Sequence, residues 1–504
     1  MQRRAFLTAS AGALAAATLP HATALADTRP APPDDWAAAF DAALADDPWL
    51  LGWKGDGVER DAPPLTVTGR IPAGLAGSLY RNGPARQVVG GQRYHHWFDG
   101  DGMVHRWGLS AEGVTYRGRF VRTRKFVAEE RAGRPLVPAF GTVPDGVPPV
   151  VAAGGMNVAN TSVLPLGGRL LALWEGGAPY ALDPLTLDTA GEHAFRPDLA
   201  GLPFSAHPKV EPDGTVWNFG SNFEDGRLLV WRLGPDGTMR DLTFLAERFR
   251  GMLHDFAVTE RHLVFVLPPL TIEPSAWGRG SFLDAHRWDG AAPTRVVAVD
   301  KADLARQRVW ELPAGFGFHT GNAWEEADGT IRFDVAWAAD ARIVLHGFRA
   351  IMRGDRLDVP PPRATLVTLR PDGRVETALL GPEAAEFPRV DPRVVGRRNR
   401  ALFHLVHPGT SPGLTAVVRR DLESGAEDRF DYGSMTAAEE HVFVPRPGSA
   451  VEGDGWLVGT VLDVAKRRTG LSVLDARRPS DGPLAQAWLD SALPLGFHGA
   501  FVAA

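Results

Sequence analysis

The sequence predicts an all-β fold, a propeller, and three observations predict it. Short runs that alternate apolar and polar residues recur at 170–174, 216–219, 228–233, 262–267, 295–299, 331–337, 365–369, 456–462 and 471–474, the period-2 pattern of strands. Pro212-Asp213-Gly214, Pro235-Asp236-Gly237, Pro371-Asp372-Gly373 and Asp328-Gly329 punctuate them. Each supplies a turn-opening residue and a glycine for positive φ. The chain has 504 residues, too many for one sandwich, whereas radial repetition of four-stranded blades accommodates many short strands in one domain. No sharp repeat such as Trp-Asp is present, so the sequence alone leaves the blade number open.

Taken in order, residues 1–26 read as a twin-arginine signal peptide. Arg3-Arg4-Ala5-Phe6-Leu7-Thr8 precedes an alanine-rich apolar stretch at 9–19, and Ala24-Leu25-Ala26 supplies a small-x-small cleavage signal before Asp27. This predicts transport of the folded protein to the periplasm by the twin-arginine export machinery. Residues 27–62 read as an N-terminal extension rich in Ala, Asp and Pro, with one short helix at 36–44, and residues 63–504 as the propeller and catalytic domain. Two long segments interrupt the strands. One, at 131–155, is rich in Pro, Gly and Val. The other, at 267–277, is apolar and proline-kinked, and each of the two reads either as a surface excursion or as a substrate-access rim. Beyond residue 26 no apolar run is long enough to span a bilayer; peripheral membrane contact stays open.

Composition removes several classes of function. A net charge of −6 leaves no basic footprint for nucleic acid. The absence of cysteine excludes disulfides, thiolate nucleophiles, zinc ribbons and iron–sulfur clusters together. Fifteen histidines remain, and four share a context. Gly317-Phe318-His319-Thr320 and Gly496-Phe497-His498-Gly499 carry the same triplet, while Ala206-His207-Pro208 and Leu253-His254-Asp255 sit in similar apolar surroundings at strand ends. They lie 47, 65 and 179 residues apart, so a helix-borne HExxH site is excluded and each comes from a distant segment. A propeller brings such segments to a common axis. An all-imidazole site suits iron, zinc or copper better than magnesium or calcium. Metal-bound imidazoles usually give their other N–H to a carboxylate, and Glu175, Glu386 and Glu440 are the candidates, each in an apolar or glycine-rich strand.

The chain resembles the carotenoid oxygenases, the carotenoid and stilbenoid cleavage dioxygenases. The resemblance runs through Leu79-Tyr80-Arg81-Asn82-Gly83-Pro84, Trp97-Phe98-Asp99-Gly100-Asp101-Gly102, Trp174-Glu175-Gly176-Gly177, Ala206-His207-Pro208-Lys209, His254-Asp255-Phe256, Phe318-His319, Glu386-Phe387-Pro388-Arg389, Phe443-Val444-Pro445-Arg446 and Gly496-Phe497-His498-Gly499. It implies a seven-bladed β-propeller with a helical or loop cap over the metal face. It implies one non-haem Fe(II) per chain held by His207, His254, His319 and His498, with Glu175, Glu386 and Glu440 behind them. It further implies addition of O2 across one C=C bond of a carotenoid, apocarotenoid or stilbenoid, giving two carbonyl products without an oxoacid, flavin or nicotinamide. Stilbenoid-cleaving members grip a phenol with a tyrosine and a lysine that match Tyr94 and Lys125, the latter following a Val-Arg-Thr strand. Two alternatives remain from the residues: an alkene isomerase or hydrolase on the same metal propeller, and a non-catalytic ligand-binding propeller.

Overall fold

The computed structural model describes residues 35–504 except 149–152, 224, 277, 357 and 410–412. The twin-arginine segment, its cleavage site, the start of the N-terminal extension and Trp277 therefore lie outside the described residues.

Within them, seven antiparallel sheets of four or five strands follow one another round a ring as the blades of a propeller. The inner strands of blades 2 to 7 are Ser162–Leu166, Lys209–Val210, Phe256–Val258, Phe316–Glu325, Ala384–Arg389 and Thr436–Pro445. Gly499–Ala503 is the inner strand of blade 1, paired with Gly77–Arg86. From blade 4 round to blade 2, neighbouring inner strands touch. The ring closes twice, because Val67–Gly69 also adds an outermost strand to blade 7 by pairing with Pro483–Trp488. Strands from both ends of the described chain thus complete two adjacent blades.

Each blade is buried on both faces, and the sequence is written for that. In His262–Leu267, residues Leu263, Phe265 and Leu267 pack towards blade 3, on Phe219 and Leu228. Val264 and Val266 point the other way, onto Phe333 and Val335 of blade 5. Alternation sends successive side chains to opposite faces, so a strand between two blades reads as a nearly unbroken apolar run. Each such Val, Leu or Phe contributes roughly 1.5–3 kcal/mol when fully buried. The predicted strands are present, for example Ile331–Ala338 and Gly455–Asp463. The predicted turns are present too. Gly214, Gly237, Gly329 and Gly373 have φ between 81 and 91°, and in each turn the aspartate Oδ1 accepts the N–H two residues on. The first propeller strand, Arg60–Leu65, begins slightly ahead of the expected boundary at 63 and pairs with Gly113–Phe120.

The cap is small and helical. Helix Asp35–Asp46 covers the expected 36–44 segment. It packs with the 3-10 turn Pro48–Trp53 and helix Phe348–Arg353 through Phe40, Leu50, Ile351 and Met352. Buried Arg93 pins these pieces to the propeller. Its guanidinium lies 3.5 Å from the Phe40 ring centroid and donates to the carbonyls of Trp53, Lys54 and Met352.

Candidate metal centre

Every blade delivers one residue to the axis. His498 comes from blade 1, Glu175 from blade 2, His207 from blade 3, His254 from blade 4, His319 from blade 5, Glu386 from blade 6 and Glu440 from blade 7. The four imidazoles converge, with one ligand nitrogen from each within 4.8 Å of the others. His254 Nε2 lies 2.9 Å from His207 Nε2 and 3.0 Å from His319 Nε2.

Local irregularities aim these side chains. In Phe316–Glu325 the register with Ile331–Ala338 shifts on both sides of Thr320, beside His319. Buried Asp334 fills the gap in the ladder by accepting the Asn322 N–H at 3.0 Å, and burial pushes its carboxyl up to about 7. A Cβ on Gly321 would sit 2.1 Å from an Asp334 oxygen, so only glycine fits there. In Ala384–Arg389 the shift falls between Glu386 and Arg389, with Phe387 at φ 56°. In Thr436–Pro445 it falls between Ala438 and His441, which turns Glu439 and Glu440 inward. Bulges re-aim side chains at the cost of ladder bonds, and here all three stand at the site.

Three imidazoles are oriented by carboxylates. His254 Nδ1 lies 2.5 Å from Glu175, His319 Nδ1 2.5 Å from Glu386, and His498 Nδ1 2.9 Å from Glu440. An ionised carboxylate only accepts, so each Nδ1–H donates and each Nε2 presents its lone pair inward. The Nε2 atoms of His254 and His319 then face each other with no proton between them, an arrangement that a cation resolves. The donor set therefore fits a transition metal. His207 has no carboxylate on Nδ1 among the described residues. Burial, then the imidazoles of His254, His498 and His319, hold His207 well below the ordinary histidine range. Burial brings His498 down to about 3. For His254 burial acts downward but Glu175 outweighs it, and the net shift is upward. Burial opposes ionisation of Glu440, but Arg389, His498 and Arg81 hold it well below the usual carboxylate range. Arg389, three residues after Glu386, pairs with Glu440 instead, at 2.7 Å.

The centre opens into a cavity of about 460 Å³ with aromatic walls. Phe318 stacks on His254 at 4.2 Å and Phe387 on His319 at 5.5 Å. Trp49, Trp53 and Phe348 reach in from the cap, and Phe140 from the 131–155 segment. None of the described residues of the 267–277 segment lines the cavity. Leu270–Ile272 pairs with His286–Trp288, and its side chains pack behind the wall, on Phe282 and Phe140.

The sequence model of the family described as retinal pigment epithelial membrane protein matches residues 57–503. The chain belongs to this family, the carotenoid cleavage oxygenases. It is 32% identical over 474 residues to the apocarotenoid-15,15′-oxygenase of Synechocystis sp., covering 90% of this chain and 96% of that one. It is 30% identical over 482 residues to resveratrol cleavage oxygenase 1 of Aspergillus fumigatus, covering 88% and 93%. The crystal structure of cobalt-substituted Synechocystis apocarotenoid oxygenase matches with a TM-score of 0.82 and 30% identity, over 91% of this chain and 98% of that one. The chain is accordingly an O2-incorporating oxidoreductase with its metal site at the propeller centre.

In this carotenoid cleavage oxygenase the phenol grip expected of Tyr94 and Lys125 is not formed on the cavity. The two side chains do meet, at 2.5 Å, but neither lines the cavity wall. Lys125 also donates to Asp101 at 3.2 Å and Glu129 at 2.8 Å, and Tyr94 donates to Glu129 at 2.8 Å. An ammonium has three protons, and all three are placed. Burial opposes the charge on Lys125, but Asp101, Tyr94 and Glu129 outweigh it and hold the cation; burial raises Tyr94. Nor is Lys125 on a strand. It lies in helix Arg124–Ala132, capped by Thr123 Oγ1 at one end and by Gly133 in the left-handed region at the other. That places Glu129 four residues on, on the same face. The wall residues Asn160 and Thr161 went unseen in the sequence, since they belong to an aperiodic stretch before blade 2.

Proposed function

We propose that the protein is a non-haem ferrous dioxygenase, with one Fe(II) per chain held by His207, His254, His319 and His498, that cleaves one C=C bond of a lipophilic conjugated substrate into two carbonyl products. The observation that carries this reading is a set of four converging imidazoles, three of them held lone-pair-inward by glutamates, facing an aromatic-walled cavity. Ferrous iron, when bound, supplies the redox chemistry by which O2 attacks the alkene. The chain's own residues do the rest. Glu175, Glu386 and Glu440 keep the Nδ1 protons on the far side of the rings, and the aromatic walls hold a flat conjugated chain and exclude water.

Cleavage of an alkene by O2 into two carbonyls balances with no net proton transfer. The cavity agrees with that economy. Glu175 and Glu386 are taken by imidazoles, while Glu439 accepts from Arg81 at 3.2 Å and from the Gly496 N–H at 2.6 Å. The three carboxylates on the described wall are thus all engaged by other groups. Reaction under 18O2 should put one labelled oxygen into each product, read by mass spectrometry after rapid reduction of the carbonyls, with one iron per chain by metal analysis. Label in only one product, or a rearranged alkene without label, would overturn the dioxygenase reading.

The occupied Tyr94–Lys125 pair favours recognition by shape over recognition of a phenol. Rates on a 4-hydroxystilbene and its 4-methoxy analogue should then differ by less than about tenfold, where a site built around the hydroxyl separates such analogues by ~10⁴. A ratio near that larger value would return Tyr94 and Lys125 to the substrate.

A further inference from the structure

We propose that Asp255 is a positioning residue that ties three of the four metal-facing imidazoles to one another; this rests on the four-histidine reading above. Its carboxylate joins three blades. Oδ1 lies 2.8 Å from Lys209 Nζ and accepts the Phe256 N–H at 2.7 Å. Oδ2 accepts both the Thr320 N–H and, at the same 2.8 Å distance, its hydroxyl. Lys209 follows His207 by two residues, Asp255 follows His254 by one, and Thr320 follows His319 by one. The clasp is 5% exposed at Asp255 and 7% at Thr320, so its charge-assisted bonds work out of water, where they are strongest.

Two features of the site show what the clasp is for. His207 is the imidazole without a glutamate, and it precedes a strand of only two residues, Lys209–Val210. Its segment is tied to the next blade through Lys209 and Asp255. His319 stands at a bulge, where the ladder is interrupted on both sides of Thr320. There the Thr320 N–H turns to Asp255. The clasp thus replaces the two orienting restraints that the strands and glutamates do not supply. Buried carboxylates that orient ligands from behind change metal affinity by roughly 10- to 100-fold, and one bond further out the lower figure applies.

The test uses cobalt(II), whose visible absorption reports ligand geometry, on the full chain. Asp255→Asn and Thr320→Val should each shift the cobalt absorption and speed its release to a chelator by about tenfold, while Thr320→Ser, which keeps the hydroxyl, should restore both. Lys209→Met combined with Thr320→Val should change release by less than the product of the single effects, because the two side chains act through one carboxylate. Variants that lose thermal stability yet keep the wild-type spectrum and release rate would show a purely structural tie and overturn the proposal, as would fully independent single effects. Should Asp255→Asn fail to fold, the Thr320→Val and Thr320→Ser pair decides by itself. A wild-type chain that takes up no cobalt overturns the four-histidine reading and the clasp with it; failure of the clasp alone is recognised by normal wild-type loading with variants that match it.

Discussion

His319→Ala should yield a folded propeller that holds no metal and cleaves no substrate. The fold does not need the site. The blades are held by apolar clusters that run between neighbouring sheets, such as Val264, Val266, Phe333 and Val367 between blades 4 and 5. The site, in contrast, needs every ligand. Three imidazoles without the fourth lose one donor bond and the Nε2 atom that faces His254 at 3.0 Å. The variant also leaves Glu386 with only the Phe387 N–H at 2.9 Å beside the empty ring position. The same loss is expected for His207→Ala, His254→Ala and His498→Ala. Metal analysis should read close to zero per chain, with circular dichroism of a β protein unchanged. Wild-type metal content in any one of the four variants would remove that residue from the ligand set.

Glu440→Ala should do more harm than loss of either other glutamate. Glu440 accepts from His498, from the Gly499 N–H at 2.8 Å, and from two guanidiniums, Arg389 at 2.7 Å and Arg81 at 3.3 Å. Arg81 is 2% exposed, so removing this partner strands a buried cation next to Glu439 alone. Breaking a buried ion pair from one side costs about 3–5 kcal/mol, enough to lower the melting temperature of a chain this long by about 3–5 °C. Glu175→Gln and Glu386→Gln lack that penalty, since neither carboxylate pairs with an arginine among the described contacts. All three changes should weaken metal binding by roughly 10- to 100-fold, but only Glu440→Ala should lower stability on this scale. Calorimetry of the metal-free variants separates the two effects. Equal melting temperatures for Glu440→Ala and Glu386→Gln would show that the arginines find other partners.

Much of this site was legible before any coordinates. Histidine is scarce, and Gly-Phe-His recurs at 317–319 and 496–498, so four imidazoles in one kind of setting stand out against fifteen. The strands were legible because alternation is local. Their curvature was not: no sequence signal announces the bulges beside His319, Glu386 and Glu440, which arise from how two strands fall out of register. Which glutamate serves which histidine was equally hidden, since the partners lie 79, 67 and 58 residues apart and meet only when the ring closes. The partners of Lys125 were hidden for a different reason. Thr123 and Gly133 are ordinary cap residues for a helix between them, and reading that helix would have put Glu129 beside Lys125. The expectation for the lysine came from the family resemblance alone, which carries no information on the partners a residue finds in this chain.

The contribution of one residue per blade has a consequence for how such a protein can change. Propellers are modular, and a ring of similar units can in principle gain, lose or exchange one. Here the units are alike in shape and unlike in duty: four carry an imidazole, three a carboxylate, and each carboxylate serves a ring on a different unit. The protein is divisible as architecture and indivisible as chemistry. A six-unit ring would lack a donor or the group that aims one, and a duplicated unit would open the spacing between donors that must converge within 4.8 Å. Variation that keeps the reaction is thereby confined to the loops of the cap and the cavity wall, where substrates are told apart.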